Sequence, residues 1–123
     1  MTKILIIDDD DSITALLKAK IEAAGNYDVD TTDSGNIGWL VALHHSPDVI
    51  VLDFMLPDID GDAILEKLQA EPSTANIPVL CLTSLATADA DGYKQMSGKN
   101  CWMMTKATSP KNIVDRIIEL ANL

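Results

Sequence analysis

Basic residues are scarce in this chain: 9 Lys and Arg stand against 19 Asp and Glu, a formal net charge of −10. So acidic a sequence argues against direct binding to nucleic acid or an anionic membrane surface, and it admits basic partners and cations. No apolar run approaches the roughly 20 residues that a membrane span needs. The start, "MTKILII", has no charged leader, extended apolar stretch or small-residue cleavage site. The expected location is therefore cytoplasmic. Cysteine is limited to Cys81 and Cys101, each inside a strand-like apolar run. They read as buried free thiols rather than as a redox or metal pair. No linker, repeat or low-complexity tract interrupts the sequence. What is present, 123 residues of 47% hydrophobic composition, suffices for one domain over residues 1–123 with one core.

Apolar runs alternate with segments of helical period. "KILII" (3–7) reads as a strand buried on both faces. "SITALLKAKIEAAG" (12–25) places Ile13, Leu16, Leu17 and Ile21 on one helical face, and Gly25 stops it. "YDVDT" (27–31) alternates like an edge strand. "SGNIGWLVALHHS" (34–46) is helical, with Ser34 as N-cap and Pro47 just beyond its end. "DVIVLD" (48–53) is a buried strand, followed by the turn "LPDIDG", a helix over 61–71 and a strand "IPVLCLT" (77–83). Residues 85–97 read as a weak helix interrupted by Gly92, and "CWMMT" (101–105) as the fifth strand. "SPKNIVDRIIELANL" (109–123) opens with Pro110 in a first turn and sets Ile113, Ile117 and Leu120 on one face. Five strands alternating with five helices predict a parallel α/β sheet covered on both sides. Right-handed crossovers leave few topologies, one common solution being strand order 2-1-3-4-5. That order reverses the chain's direction between strands 1 and 3 and opens a crevice at their carboxyl ends.

The polar residues collect at that edge. Asp8 to Asp11 follow the first strand, Asp53 ends the third, Thr83 and Ser84 end the fourth, and Lys106 follows the fifth. Two carboxylates about 5 Å apart repel by roughly 3 kcal/mol at an effective dielectric near 20. Gathering three demands protons or a cation. A hard divalent ion with oxygen ligands answers the need, and Mg2+ fits best because it keeps places open for water and phosphate. Lys106 adds a second positive charge able to contact a phosphoryl oxygen, and the Thr83 hydroxyl can donate to another. Phosphoryl transfer asks for little beyond positioning and charge neutralisation, and carboxylates do become aspartyl phosphates.

Across essentially its whole length the sequence resembles the receiver domain of two-component response regulators, of the single-domain, chemotaxis-regulator-like kind. "ILIIDDD" is similar to the family's first strand and acidic pair, "VIVLDFMLPDIDG" to its phosphoacceptor segment, and "VLCLTS" to its switch strand. The resemblance implies a flavodoxin-like (βα)5 doubly wound parallel sheet. It implies Asp53 as the phosphorylated residue, Thr83 as the switch hydroxyl and Lys106 as the family lysine. Asp8, Asp9, Asp53 and the backbone carbonyl of Met55 would hold Mg2+, with Pro57 and Gly61 forming the turn. The implied donor is a histidine kinase or phosphotransfer protein. The implied readout is a changed surface on the fourth helix, fifth strand and fifth helix, recognised by a downstream protein, with the chain a monomer or a phosphorylation-dependent dimer.

The sequence departs from the family pattern at several points. Ala107 follows Lys106 where the family has proline. Met103, beside Trp102, stands at the aromatic switch position. "SGKNC" is one residue longer than usual, and Ser84 replaces a small apolar residue. These departures cluster on the signalling surface and leave the acids untouched.

Other polar residues have plainer readings. Asp10 and Asp11 cap the first helix and favour its positive dipole end. Asp58, Asp60 and Asp62 miss the EF-hand spacing and read as turn and cap residues. His44 and His45 suit a helix C-terminus. Trp39 and Trp102 read as packing, and Met96, Met103 and Met104 as core or interface filler.

Two alternatives stand beside the switch. "IIDDDDS" also resembles the nucleophile motif of haloacid dehalogenase-like phosphatases, with Asp8 as nucleophile and Asp10 as acid/base. Against it, no later acid pair follows the lysine, and Asp53 is left without a role. The altered switch surface also suits a pseudo-receiver that only binds a partner.

Overall fold

In the computed structural model the described residues are 1–84, 93–95 and 100–123. The elements run β1 (Thr2–Ile7), α1 (Asp11–Ala24), β2 (Tyr27–Thr32), α2 (Gly35–His45), β3 (Val49–Asp53), α3 (Gly61–Ala70), β4 (Val79–Thr83), β5 (Tyr93–Gln95), β6 (Cys101–Thr105) and α4 (Pro110–Ala121). Five of the strands are parallel, in the order β2-β1-β3-β4-β6. The expected order 2-1-3-4-5 is therefore present, with β6 as its fifth member, and the sheet is of the flavodoxin-like receiver type. One sequence reading fails within 85–97. Residues Tyr93–Gln95 form a strand antiparallel to β6, pairing Tyr93 with Met104 and Gln95 with Trp102, instead of continuing a helix. The remainder of that predicted helix lies outside the described residues.

The strands read as unbroken apolar runs because helices cover both faces. On one face Ile4, Ile6, Val51, Leu80 and Leu82 pack against Leu17 and Ile21 of α1 and Ile113, Ile117 and Leu120 of α4. On the other, Leu5, Ile7, Ile50, Leu52 and Cys81 pack against Ala42 of α2 and Ile64, Leu65 and Leu68 of α3. Leu16 does not share the buried face expected of it. It is exposed, and Thr14 is buried with Leu17 and Ile21 in its place.

Helix starts follow the local chemistry. Asp10 caps α1, its carboxylate accepting from the amides of Ser12 and Ile13. Ser34 caps α2 through Ile37, and Ser109 caps α4 through Asn112, with Pro110 in the first turn. α2 ends at Ser46, whose φ of 48° is left-handed, and Pro47 follows.

α2 approaches the sheet closely because its inner face is nearly bare. A Cβ on Gly38 would lie 2.5 Å from Ile7 Cδ1, and one on Gly35 would lie 2.4 Å from Ile59 Cγ2. Glycine there permits close approach rather than an unusual backbone conformation. No helix among the described residues is long and apolar enough to cross a membrane.

Candidate functional site: the acidic crevice

The register of the sheet assembles the site. Ile7 pairs with Leu52 across β1 and β3, so the next residues, Asp8 and Asp53, emerge side by side where the strand order reverses. Asp53 pairs with Leu82 of β4, one residue before Thr83, and Thr83 pairs with Thr105 of β6, one residue before Lys106. The Lys106 amide then donates to the Thr83 carbonyl at 2.8 Å, which fixes where the lysine leaves the sheet.

Lys106 turns back into the crevice. Its Nζ lies 3.1 Å from Asp53 Oδ2 and 3.1 Å from Asp8 Oδ2, and it donates to Asp8 Oδ1 at 3.2 Å. Asp8 and Asp53 are almost wholly buried, at 1% and 4% exposure, so this single ammonium faces two carboxylates in a poorly solvated place. Burial pushes the Asp8 carboxyl above the usual carboxylate range. The Asp10 amide and Lys106 pull it back, and the Asp53 charge adds to the rise. For Lys106, burial disfavours the charge, but hydrogen bonds to Asp53 and Asp8 outweigh it and raise the pKa. Two backbone amides hold the carboxylates in place: Asp10 N–H donates to Asp8 Oδ1 at 2.9 Å, and Met55 N–H to Asp53 Oδ1 at 3.0 Å.

Asp9 completes the cluster. Asp8, Asp9 and Asp53 offer one oxygen each, all within 4.8 Å of one another. Asp8 Oδ2 is buried with no hydrogen bond of good geometry, although Lys106 lies beside it. A partly unsatisfied, crowded oxygen set, open toward solvent at exposed Asp9, suits a small hard cation with water in its remaining places.

The family model of the response regulator receiver domain matches residues 4–118. The chain belongs to that family. Over 85 residues this receiver domain is 46% identical to the DNA-binding dual master transcriptional regulator RpaA of Synechocystis, a stretch covering 69% of this chain and 35% of that protein. It is 39% identical over 83 residues to response regulator PleD of Caulobacter vibrioides, covering 68% of this chain and 18% of that one. The match thus spans well under half the length of either relative. Among solved structures, the receiver domain of the Francisella response regulator 1452 superposes with a TM-score of 0.79 at 27% identity, covering 99% of this chain and 98% of that one. Chemotaxis response regulator CheY4 of Vibrio cholerae shares the fold, with a TM-score of 0.81 at 23% identity and 98% coverage of both chains. Receiver domains are phosphorylation-controlled signalling switches, and they typically bind Mg2+ at such an acidic cluster.

Of the residues predicted from sequence, Asp8, Asp9, Asp53 and Lys106 meet in this crevice. Thr83 stands at its edge, buried at 4% exposure. Met55 follows in the adjoining loop, its side chain 66% exposed. Ser84 is exposed beside it, with Oγ 4.0 Å from Met55 Sδ. The carboxylate of Asp10, the acid/base of a phosphatase reading, instead caps α1. Ala107 uses the amide that proline would lack, donating to Thr105 Oγ1 at 3.1 Å.

Sequence reasoning missed one support and the reach of another. The Asp8 amide donates to the Thr32 carbonyl at the end of β2. Asp58, read as a turn or helix-cap residue, does cap a helix, but the helix is α2, in another segment of the chain. Its partners lie 22 to 24 residues upstream, where no local pattern points.

Proposed function

We propose that residues 1–123 form one receiver domain that accepts a phosphoryl group on Asp53 from a histidine kinase or phosphotransfer protein. Asp8, Asp9, Asp53 and the Met55 backbone carbonyl would hold Mg2+, whose charge would neutralise the carboxylates and the incoming phosphoryl oxygens. An Asp53 oxygen forms a P–O bond as the P–N bond of the donor's phosphohistidine breaks, and the imidazole leaves. Lys106, already within reach of Asp53, transfers its contact to a phosphoryl oxygen, and the Thr83 hydroxyl donates to another. Both residues head the link to β6, through the Lys106 amide and the Thr83 carbonyl. Their movement shifts a pre-existing equilibrium of the surface around β6 and α4, which a downstream protein reads, with the domain a monomer or a phosphorylation-dependent dimer. Water slowly hydrolyses the acyl phosphate with help from the same residues, so the domain is not a turnover enzyme. The buried Cys81 and Cys101, not joined by a disulfide, suit the reducing cytoplasm as its location.

One observation carries this reading: a single ammonium is shared at 3.1 Å by Asp8 and Asp53, with Asp9 completing the acid cluster. Treatment with a small acyl phosphate and Mg2+, followed by intact-mass measurement, tests it. The expected result is an acid-labile adduct that disappears in Asp53→Asn. Continuous turnover abolished by Asp8→Asn but not by Asp53→Asn would instead indicate a phosphatase. Neither adduct nor turnover would indicate a pseudo-receiver.

A further inference from the structure

The loop from β3 to α3 carries Met55 and is folded on itself. Gly61 N–H donates to the Phe54 carbonyl at 3.1 Å, and Met55 bridges Asp60. Asp58 stands at its tip and reaches across to the start of α2. Its Oδ2 accepts from Ser34 Oγ at 2.9 Å and from Asn36 N and Nδ2, both at 3.1 Å. Its Oδ1 accepts from Gly35 N at 3.0 Å. Four donors on one exposed carboxylate are more than a helix cap needs. Beside this polar clamp the contact is apolar and close: a Cβ on Gly35 would meet Ile59 Cγ2 at 2.4 Å and Leu56 Cδ1 at 3.1 Å.

The start of α2 is itself tied to the acid pair. Ser34 N–H donates to Thr32 Oγ1 at 3.2 Å, and the Thr32 carbonyl accepts from Asp8 N–H at 3.0 Å. A continuous path therefore runs from Asp8 through Thr32, Ser34 and Asp58 into the Met55 loop. It joins the two halves of the site by way of the end of β2 and the start of α2.

We infer that Asp58 is a positioning residue for the metal site, fixing the Met55 loop relative to Asp8 by clamping it to the N-terminus of α2. This rests on the proposed function, which assigns the Met55 carbonyl to the ion. A metal ligand held by a loose loop must be ordered on binding, and the clamp removes that cost. Asp58 would act through the loop and not as a ligand, its carboxylate oxygens already accepting from Ser34, Gly35 and Asn36.

The test is Mg2+ titration by calorimetry of the full chain, wild type, Asp58→Ala and Asp58→Asn. Ser109→Ala, which removes the cap of α4, serves as a stability control. Asp58→Ala is expected to weaken Mg2+ binding by about 10-fold, the lower range for loss of an outer-shell support. Asp58→Asn keeps one carbonyl oxygen and is expected to recover part of the affinity. Acyl-phosphate labelling of Asp58→Ala at saturating Mg2+ should approach the wild-type rate, because the defect lies in holding the ion. Ser109→Ala should lose stability in urea and bind Mg2+ as wild type does. Wild-type affinity in Asp58→Ala overturns the inference, leaving Asp58 a helix cap only. An equal loss of affinity in Ser109→Ala also overturns it, because destabilisation alone would then explain the effect. Wild type that takes up no Mg2+ overturns the functional reading and the inference with it.

Discussion

Lys106 Nζ lies 3.1 Å from Asp53 Oδ2, and the same nitrogen lies 3.1 Å from Asp8 Oδ2. One ammonium thus faces two carboxylates that the sheet register forces together, both nearly inaccessible to water, and offsets only part of their charge. Breaking a buried ion pair from one side leaves an uncompensated charge. Lys106→Met is therefore expected to lower stability in Mg2+-free buffer by about 3 kcal/mol. Millimolar Mg2+ should restore part of it by supplying the missing charge. Urea unfolding with and without Mg2+ measures both effects.

Asp8 opposes the fold when it ionises. Its folded pKa is raised above the 3.8 of a free carboxyl, chiefly by burial. Its contribution is therefore most favourable below that value and is lost as pH rises through the folded pKa. Asp8→Asn should stabilise the metal-free protein at neutral pH, keeping an acceptor for the Asp10 amide while removing the charge. The gain should shrink as pH falls and vanish below about pH 4. Urea midpoints across pH, without Mg2+, check the sign. Equal gains at all pH values would contradict it.

Gly38 sets helix propensity against packing. Alanine in a helix interior is favoured over glycine by about 1 kcal/mol. The new methyl, however, would stand 2.5 Å from Ile7 Cδ1 and 2.7 Å from Ile7 Cγ1, on a side chain with 0% exposure. Overpacking of that kind costs about 1–3 kcal/mol. Gly38→Ala is expected to be destabilising by about 1 kcal/mol net in urea unfolding. It should also disturb the acidic crevice, because Ile7 immediately precedes Asp8.

Cys81 and Cys101 lie with their sulfurs 3.4 Å apart at 0% exposure. The mutual S–H contact and burial push the Cys81 thiol far up, so the reactive thiolate is suppressed. Neither should react with an aromatic disulfide reagent in the native state. Labelling in increasing urea should follow the unfolding transition. Fast stoichiometric labelling under native conditions would show that the thiols are reachable.

The sequence by itself determined the kind of fold and the edge that matters. Unbroken apolar runs such as "ILII" and "VIVL" mark strands covered on both faces, and helical periods between them require parallel crossovers. Such sheets carry their ligands at the carboxyl ends of the strands, so Asp8, Asp53, Thr83 and Lys106 are legible as one group from their order along the chain. Local signals also placed the caps at Asp10 and Ser34, since capping acts over three residues.

Only the tertiary structure decided the rest. Tyr93–Gln95 joined the sheet as an antiparallel edge because β6 offered unpaired backbone groups, which outweighed a weak helical pattern. Leu16 faces solvent because the packing of α1 sets which side chains meet the sheet. The clamp of Asp58 on α2 and the sharing of Lys106 between two acids span 22 to 98 residues. Periodicity and capping describe neighbours along the chain. Contacts across such distances exist only once register, twist and the bare glycine face of α2 have brought the segments together.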